Sequence, residues 1–210
     1  MLELREGMSV FTRSGEELGK INRFVLDPAT NEVTHIVIQK GWLLPEDKVV
    51  SFQVIGSTAE GKVVLNEDIE NFDELPPFEE TYFVRANDDP NDLNPAYYWY
   101  PSHPGMGYPG FGPGYYALPP AETKRNIPED TVPLQEGTDI ISADGEHVGD
   151  IERLIVKPDS NKATHFVISQ GLLFKDRKLV PVHWVKSVEE DKVHLVVTAR
   201  VLERLPSHQL

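Results

Sequence analysis

The chain has no cysteine and only three methionines among its 210 residues. It also has no apolar run near the roughly eighteen residues that a membrane-spanning helix needs. Without cysteine there is no disulfide framework, no thiolate nucleophile and no thiolate metal site. Basic residues are scarce: 20 Lys and Arg stand against 34 Asp and Glu, for a net charge of −14. The deficit is spread along the chain, with 8 bases against 16 acids in residues 1–85, 2 against 6 in 86–130, and 10 against 12 in 131–210. Neutralising phosphates takes clustered Lys and Arg, so nucleic acid is not an expected partner. The opening MLELREGMSVF has neither a basic n-region nor an apolar h-region, and no signal peptide is expected. Nor do the residues spell a G-x-S-x-G elbow, a P-loop, a G-x-G-x-x-G turn or an H-E-x-x-H helix.

The chain does contain a duplication. Shifted by 130 positions it matches itself without a gap from Glu6/Glu136 to Leu65/Leu195, with 22 identities in 60 pairs. Gly7/Gly137, Gly15/Gly145, Gly19/Gly149, Pro28/Pro158, Asn31/Asn161, His35/His165 and Gly41/Gly171 are among them. A period this long is a whole domain, not a solenoid unit. Three regions are expected: a first copy over 1–80, a segment over 81–130, and a second copy over 131–210. In the middle, NPAYYWYPSHPGMGYPGFGPGYYALPP has no 2-fold or 3.6-fold apolar period and is expected to be an irregular linker. Its aromatic rings leave three readings open: a passive tether, a strap wrapping one copy, or a sticky segment for self-association.

Each copy reads as β structure. SVFTR, LGKINRFVLD, VTHIVIQK, KVVSFQV and KVVLN are short apolar or β-branched runs divided by Ser-Gly, Asp-Pro and Gly turns. DIIS, VGDIERLIVK, THFVIS, KLVPVHW and KVHLVV repeat the order. EDIENFDELPP and ARVLERLP are short helix candidates, each stopped by proline. Pro181 inside a strand points to an edge or a bulge. So many short strands bury little as an open sheet, and closure into a barrel is the expected solution.

GMSVFTRSGEELGKINRFVLDPATNEVTHIVI and GTDIISADGEHVGDIERLIVKPDSNKATHFVI together resemble the PRC-barrel family. The resemblance lies in a glycine-led first strand, a polar-Gly turn, an apolar-Gly step, a strand ending near Pro, and a Thr-His strand. That family includes the cytoplasmic domain of the photosynthetic reaction-centre H subunit and the C-terminal half of a ribosome-maturation factor. The resemblance covers about 75 residues in each copy. It implies a mainly β chain of two small PRC-type barrels, each with a short C-terminal helix, joined by a Pro/Gly/Tyr-rich linker. It also implies a protein-interaction role and no shared catalytic residue.

Candidate sites follow from the residues. His35 and His165 recur in both copies. Alternation puts Thr34, Ile36 and Ile38 on one face and Val33, His35 and Val37 on the other. The histidines are read as fold residues that bond a backbone or turn group, with a metal or acid–base role as the alternative. Gly15, Gly145, Gly19 and Gly149 are read as structural, the first pair ending hairpins and the second allowing close backbone approach. No duplicated metal spacing supports a metal site: His147, His183 and His194 face Glu17, Gln53 and Val64, and His103 is alone in the linker. NDDPNDLNP, 87–95, lacks the calcium-loop pattern. KGWLLPED and QGLLFKDRK place Trp42, Leu43, Leu44 and Leu172, Leu173, Phe174 in loops. These six plug a barrel end, pack on the other copy, or dock a partner.

A non-enzymatic adaptor or scaffold in the cytoplasm is the leading expectation, with protein partners or a second copy of the chain, no cofactor, no metal, and membranes reached only indirectly. The alternatives are a ribosome- or RNA-associated assembly factor, favoured only by Lys175, Arg177, Lys178 and Lys186, and a peripheral subunit of a membrane electron-transfer complex.

Overall fold

The structure is a computed structural model, and it describes residues 2–41, 43–59, 61–66, 69, 72–83, 121–157, 159–170, 176–189 and 191–208. The chain forms two compact units, one of residues 1–78 with 126–210 and one of residues 79–125.

The larger unit holds both copies. The first contributes β1 (Leu2–Leu4), β2 (Ser9–Phe11), β3 (Glu17–Asp27), β4 (Glu32–Lys40), β5 (Glu46–Ser51), β6 (Ile55–Ala59) and β7 (Lys62–Leu65). In the smaller unit, β8 (Glu79–Phe83) pairs antiparallel with β9 (Ala121–Arg125). The second copy supplies β10 (Val132–Leu134), β11 (Asp139–Ile141), β12 (His147–Lys157), β13 (Lys162–Gln170), β14 (Asp176–Pro181), β15 (Val185–Val188) and β16 (Lys192–Leu195), and it ends in helix α1 (Ala199–Glu203).

The fold is mainly β, as expected, but the sheet does not close. Fourteen strands form one sheet whose longest path runs β15-β16-β11-β12-β13-β4-β3-β2-β7-β6, with β1, β5, β10 and β14 paired off that path. The copies are joined by reciprocal exchange. β1 pairs with β12 of the second copy, Leu2 opposite Val156, while β10 pairs with β3 of the first, Val132 opposite Leu26. Each register is the other moved by 130 positions. At the centre Glu32 faces Lys162, Val33 N–H donates to the Asn161 carbonyl at 2.9 Å, and Ala163 N–H donates to the Asn31 carbonyl at 2.8 Å. Leu4 and Leu134, carried across by the exchanged strands, are 0% and 1% exposed and lie in the same core cluster as Ile36, Leu154 and Phe166. Closing each copy separately would leave these leucines without a core, and a single fully buried leucine contributes about 2–3 kcal/mol.

Two further expectations change. β8 and β9 give a paired base to the segment expected to be irregular; residues 84–120 lie outside the described residues. Among the described residues the first copy ends in a 3₁₀ turn, Phe72–Glu74, and only the second has an α-helix. Each copy's tail instead runs along its own sheet: Pro77 bridges to Lys48 and Ser207 to Lys178. Pro181 sits at the last position of β14, opposite His165, where a missing N–H costs no further ladder bond.

Simple alternation also fails in the longest strands, for one local reason. Register shifts fall between Val10 and Phe11, Ile21 and Arg23, and Val25 and Leu26, and at the equivalent places in the second copy. A bulge inserts one residue and reverses which face the following residues occupy. Thr34 is skipped, so Val33 joins Ile36 and Ile38 in the main core rather than sharing the face of His35. The Thr34 hydroxyl donates to the Val25 carbonyl at 3.3 Å, and Thr164 repeats this to Ile155 at 3.1 Å.

Candidate functional site: the β4–β5 loop and the seam between the copies

The β4–β5 connection is built as a tight turn. Gly41 has φ +96°, and a Cβ on it would lie 2.8 Å from the Leu44 carbonyl oxygen. Only glycine accepts that combination without strain. The turn holds Leu43 and Leu44 outward, 82% and 85% exposed, the most exposed large apolar side chains among the described residues. Trp42, Leu172, Leu173 and Phe174 lie outside the described residues or outside the described side chains. Beside the loop, Lys40 and Lys48 place their ammonium groups 5.3 and 5.7 Å from the centre of the Phe72 ring.

Asp47 anchors the loop from behind. It accepts from Gln39 Nε2 at 2.8 Å, Asn22 Nδ2 at 3.1 Å and Arg23 at 3.1 Å. Arg23 also lies 5.2 Å from the centre of the Phe78 ring. The second copy makes the equivalent join with reversed charge, Arg177 Nε donating to Glu152 at 2.7 and 2.9 Å. Lys178 is buried and donates to the carbonyls of Glu203 and Leu205 at 3.2 and 3.0 Å, fixing the chain after α1. Lys178 therefore spends its donors inside the fold, while Arg177 is paired with Glu152 through Nε and stays about a third exposed.

The glycines behave differently from one another. Gly15 and Gly145 sit in turns with φ +93° and +83° and open space beside them. Gly19 is a close-approach position, since a Cβ there would lie 2.6 Å from the Gln39 carbonyl oxygen. Gly149 holds the same place in β12, with φ +137°.

His35 and His165 lie opposite Ser51 and Pro181. Neither bonds a backbone group through Nδ1: both Nδ1 atoms are buried without a hydrogen-bond partner. Burial lowers the pKa of each, and for His165 the neighbouring His183 lowers it further. Both imidazoles are therefore neutral at pH 7. The face that carries His35 is closed in the first copy by a small cluster of Val25, Val37, Val49 and Phe78, with Ile127 against it.

One mixed cluster was not legible as a site. Asp139, His147 and Asp150 bring donor atoms within 4.8 Å of one another. His147 Nε2 is 2.9 Å from Asp150 and 3.4 Å from Asp139, so an imidazole bridging two opposed carboxylates accounts for the geometry. Residues three apart face opposite ways on a regular strand. The bulge at Val148 puts His147 and Asp150 on one side. At the same positions the first copy has Ser9, Glu17 and Lys20.

Two open surface pockets flank the seam. One of about 440 Å³ is lined by Arg23, Pro133, Gln135 and Asp191. The other, about 260 Å³, is lined by Glu6, Glu136, Lys20, Asn22 and Gln39, among others. Across the second, Glu136 N–H donates to the Glu6 carboxylate at 2.9 Å.

The bulged β2–β3 hairpin, the Gly19 step and the β3–β4 pair are thus the frame on which the first copy hangs its loop. Residues 6–71 match the PRC-barrel domain family. Residues 134–203 match a different family model, described as an uncharacterized protein conserved in bacteria (DUF2171), so the second copy is not matched as a second PRC-barrel domain. No curated protein matches the chain. Within the matched residues, the β4–β5 loop is where Leu43 and Leu44 leave the core.

Proposed function

We propose that the protein is a non-enzymatic interaction scaffold, with its PRC-barrel copy and its related second copy fused into one rigid block and with protein partners docking on exposed loops. The observation that carries this reading is the outward pair Leu43 and Leu44, fixed by the Gly41 turn. A chain gains nothing in stability by holding two leucines in water, and a rigid apolar tip loses little conformational entropy when a partner covers it. Residues 81–130 are read as a linker between the two copies, self-association through exposed strand edges is a further mode, and the working place is the cytoplasm. Among the described residues no helix is long and apolar enough to cross a membrane. The RNA-associated reading is weaker, because Lys178 is engaged inside the fold and Arg177 is already paired with the Glu152 carboxylate.

The test is capture of the full-length tagged chain from its native lysate, with and without nuclease, beside the L43D/L44D double variant. A nuclease-resistant set of proteins that binds the wild type and is lost from a variant with unchanged circular dichroism is the expected result. Partners retained by the variant would remove the loop from the account, and partners lost on nuclease treatment would replace the scaffold with the RNA reading.

A further inference from the structure

Asp139 of β11 and Asp150 of β12 are Cα partners on neighbouring strands. Like charges directly opposite each other destabilise a sheet, and the second copy sets two of them there. The bulge at Val148 brings His147 to the same side. Both carboxylates then address one ring atom: His147 Nε2 lies 2.9 Å from Asp150 Oδ1 and 3.4 Å from Asp139 Oδ1. A single Nε2 has one hydrogen or one lone pair to offer. As a donor it serves two acceptors with one N–H, and as an acceptor it faces them with nothing between. Lys192, the other Cα partner of Asp139, belongs to β16, on the side of β11 away from β12.

The spacing also suits a metal ion. Bonds of about 2.1 Å set neighbouring ligand atoms about 3.0 Å apart on an octahedron and about 3.4 Å apart on a tetrahedron. The two imidazole–carboxylate separations fall near those values, and all three donor atoms lie within 4.8 Å of one another. Both aspartate side chains are 44% exposed, so rotation closes the third edge and water completes the shell. One imidazole nitrogen with two carboxylate oxygens is a ligand set for a first-row transition ion, whereas Mg²⁺ and Ca²⁺ take oxygen. We propose that Asp139, His147 and Asp150 bind one divalent transition-metal ion, of which Zn²⁺ is the type, across β11 and β12 of the second copy. The ion replaces the repulsion between the opposed aspartates with bonds to both, and it ties the two strands together. The first copy has the same bulge but holds Ser9, Glu17 and Lys20 at these places, with Ser9 and Lys20 as the opposed pair. An ammonium there stands where a ligand is needed. The site belongs to one copy, and a spacing shared by both copies does not reveal it.

The experiment titrates Zn²⁺, with Mg²⁺ for comparison, into the full-length chain carrying no polyhistidine tag. Calorimetry at neutral pH reads binding, and thermal midpoints are taken on the same samples. Wild type is expected to take up Zn²⁺ at this site and to melt higher with it, with no response to Mg²⁺. H147Q and D150N are expected to weaken that binding at least about tenfold and to lose the melting shift. Circular dichroism checks that these variants, at half-exposed positions, keep the fold. H194Q alters another histidine beside a carboxylate, 3.6 Å from Glu189, and is expected to keep the full response. Zinc uptake that H147Q and D150N leave unchanged would overturn the proposal. So would uptake seen only at millimolar zinc, or none, either of which leaves His147 as a bridge between two carboxylates.

Discussion

In the first copy Asp47 gathers an amide from β3, an amide from β4 and the guanidinium of Arg23; 130 positions later Arg177 sits at the same place and reaches for Glu152. The acceptor has become the donor, yet β3–β4–β5 and β12–β13–β14 keep the same register. A second contrast lies across the seam. Arg153 of the second copy bonds Glu3 of the first at 2.5 Å, whereas Arg23 has Pro133 at the position equivalent to Glu3 and turns to Asp47 instead. The difference teaches that the backbone and its bulges are common property, while the charges that lock each copy are local choices.

The strongest way to break the comparison is to remove what the copies exchange. L4A and L134A each leave a cavity in the shared core, and each is expected to cost about 3 kcal/mol. Urea unfolding followed by tryptophan fluorescence and by circular dichroism should show one transition in both variants. Two separated transitions would mean that the copies hold their folds independently. A smaller effect is expected at the reversed pair. D47N strips a charge from three donors and should cost about 1–2 kcal/mol, while R177M, with a side chain nearer to solvent, should cost less. Equal losses would show that the two locks contribute alike despite their different exposure.

The smallest effect concerns the histidines. Their pKa values are lowered in the fold, so the folded state holds fewer protons than the unfolded one. Their contribution is complete above the ordinary imidazole value and is lost as pH falls through the lowered one. H35L and H165L should therefore lose less stability than wild type between pH 8 and pH 5.5, in chemical denaturation at the two values. H183Q should relieve only the second copy, because Gln53 stands at that place in the first.

Much of this was legible in one dimension. The 130-residue offset, the turn glycines, the order of the strands and the apolar loop KGWLLPED are all visible in the residues. The seam was visible only as a trace: Leu4 and Leu134 keep the offset two positions before the match begins. LEL and VPL are too short for any period to declare them strands. Their partners lie about 150 residues away in one direction and about 110 in the other, and pairing of that kind is decided by which core offers room for the leucine. His35 was read as a fold residue bonding a backbone or turn group, and its Nδ1 has no such partner; the face it shares was misread because alternation cannot anticipate a bulge at Thr34.

The sequence by itself determined the β class, the self-match at an offset of 130, and the chemistry available at each position, because local backbone preference and apolar period act over a few residues. Only the tertiary structure decided that the strands are traded between copies, that Asp139, His147 and Asp150 converge, and that Glu6 meets Glu136. Those outcomes depend on long-range burial of apolar side chains and on bulges that change which way a side chain points, and neither is written within the reach of a single strand.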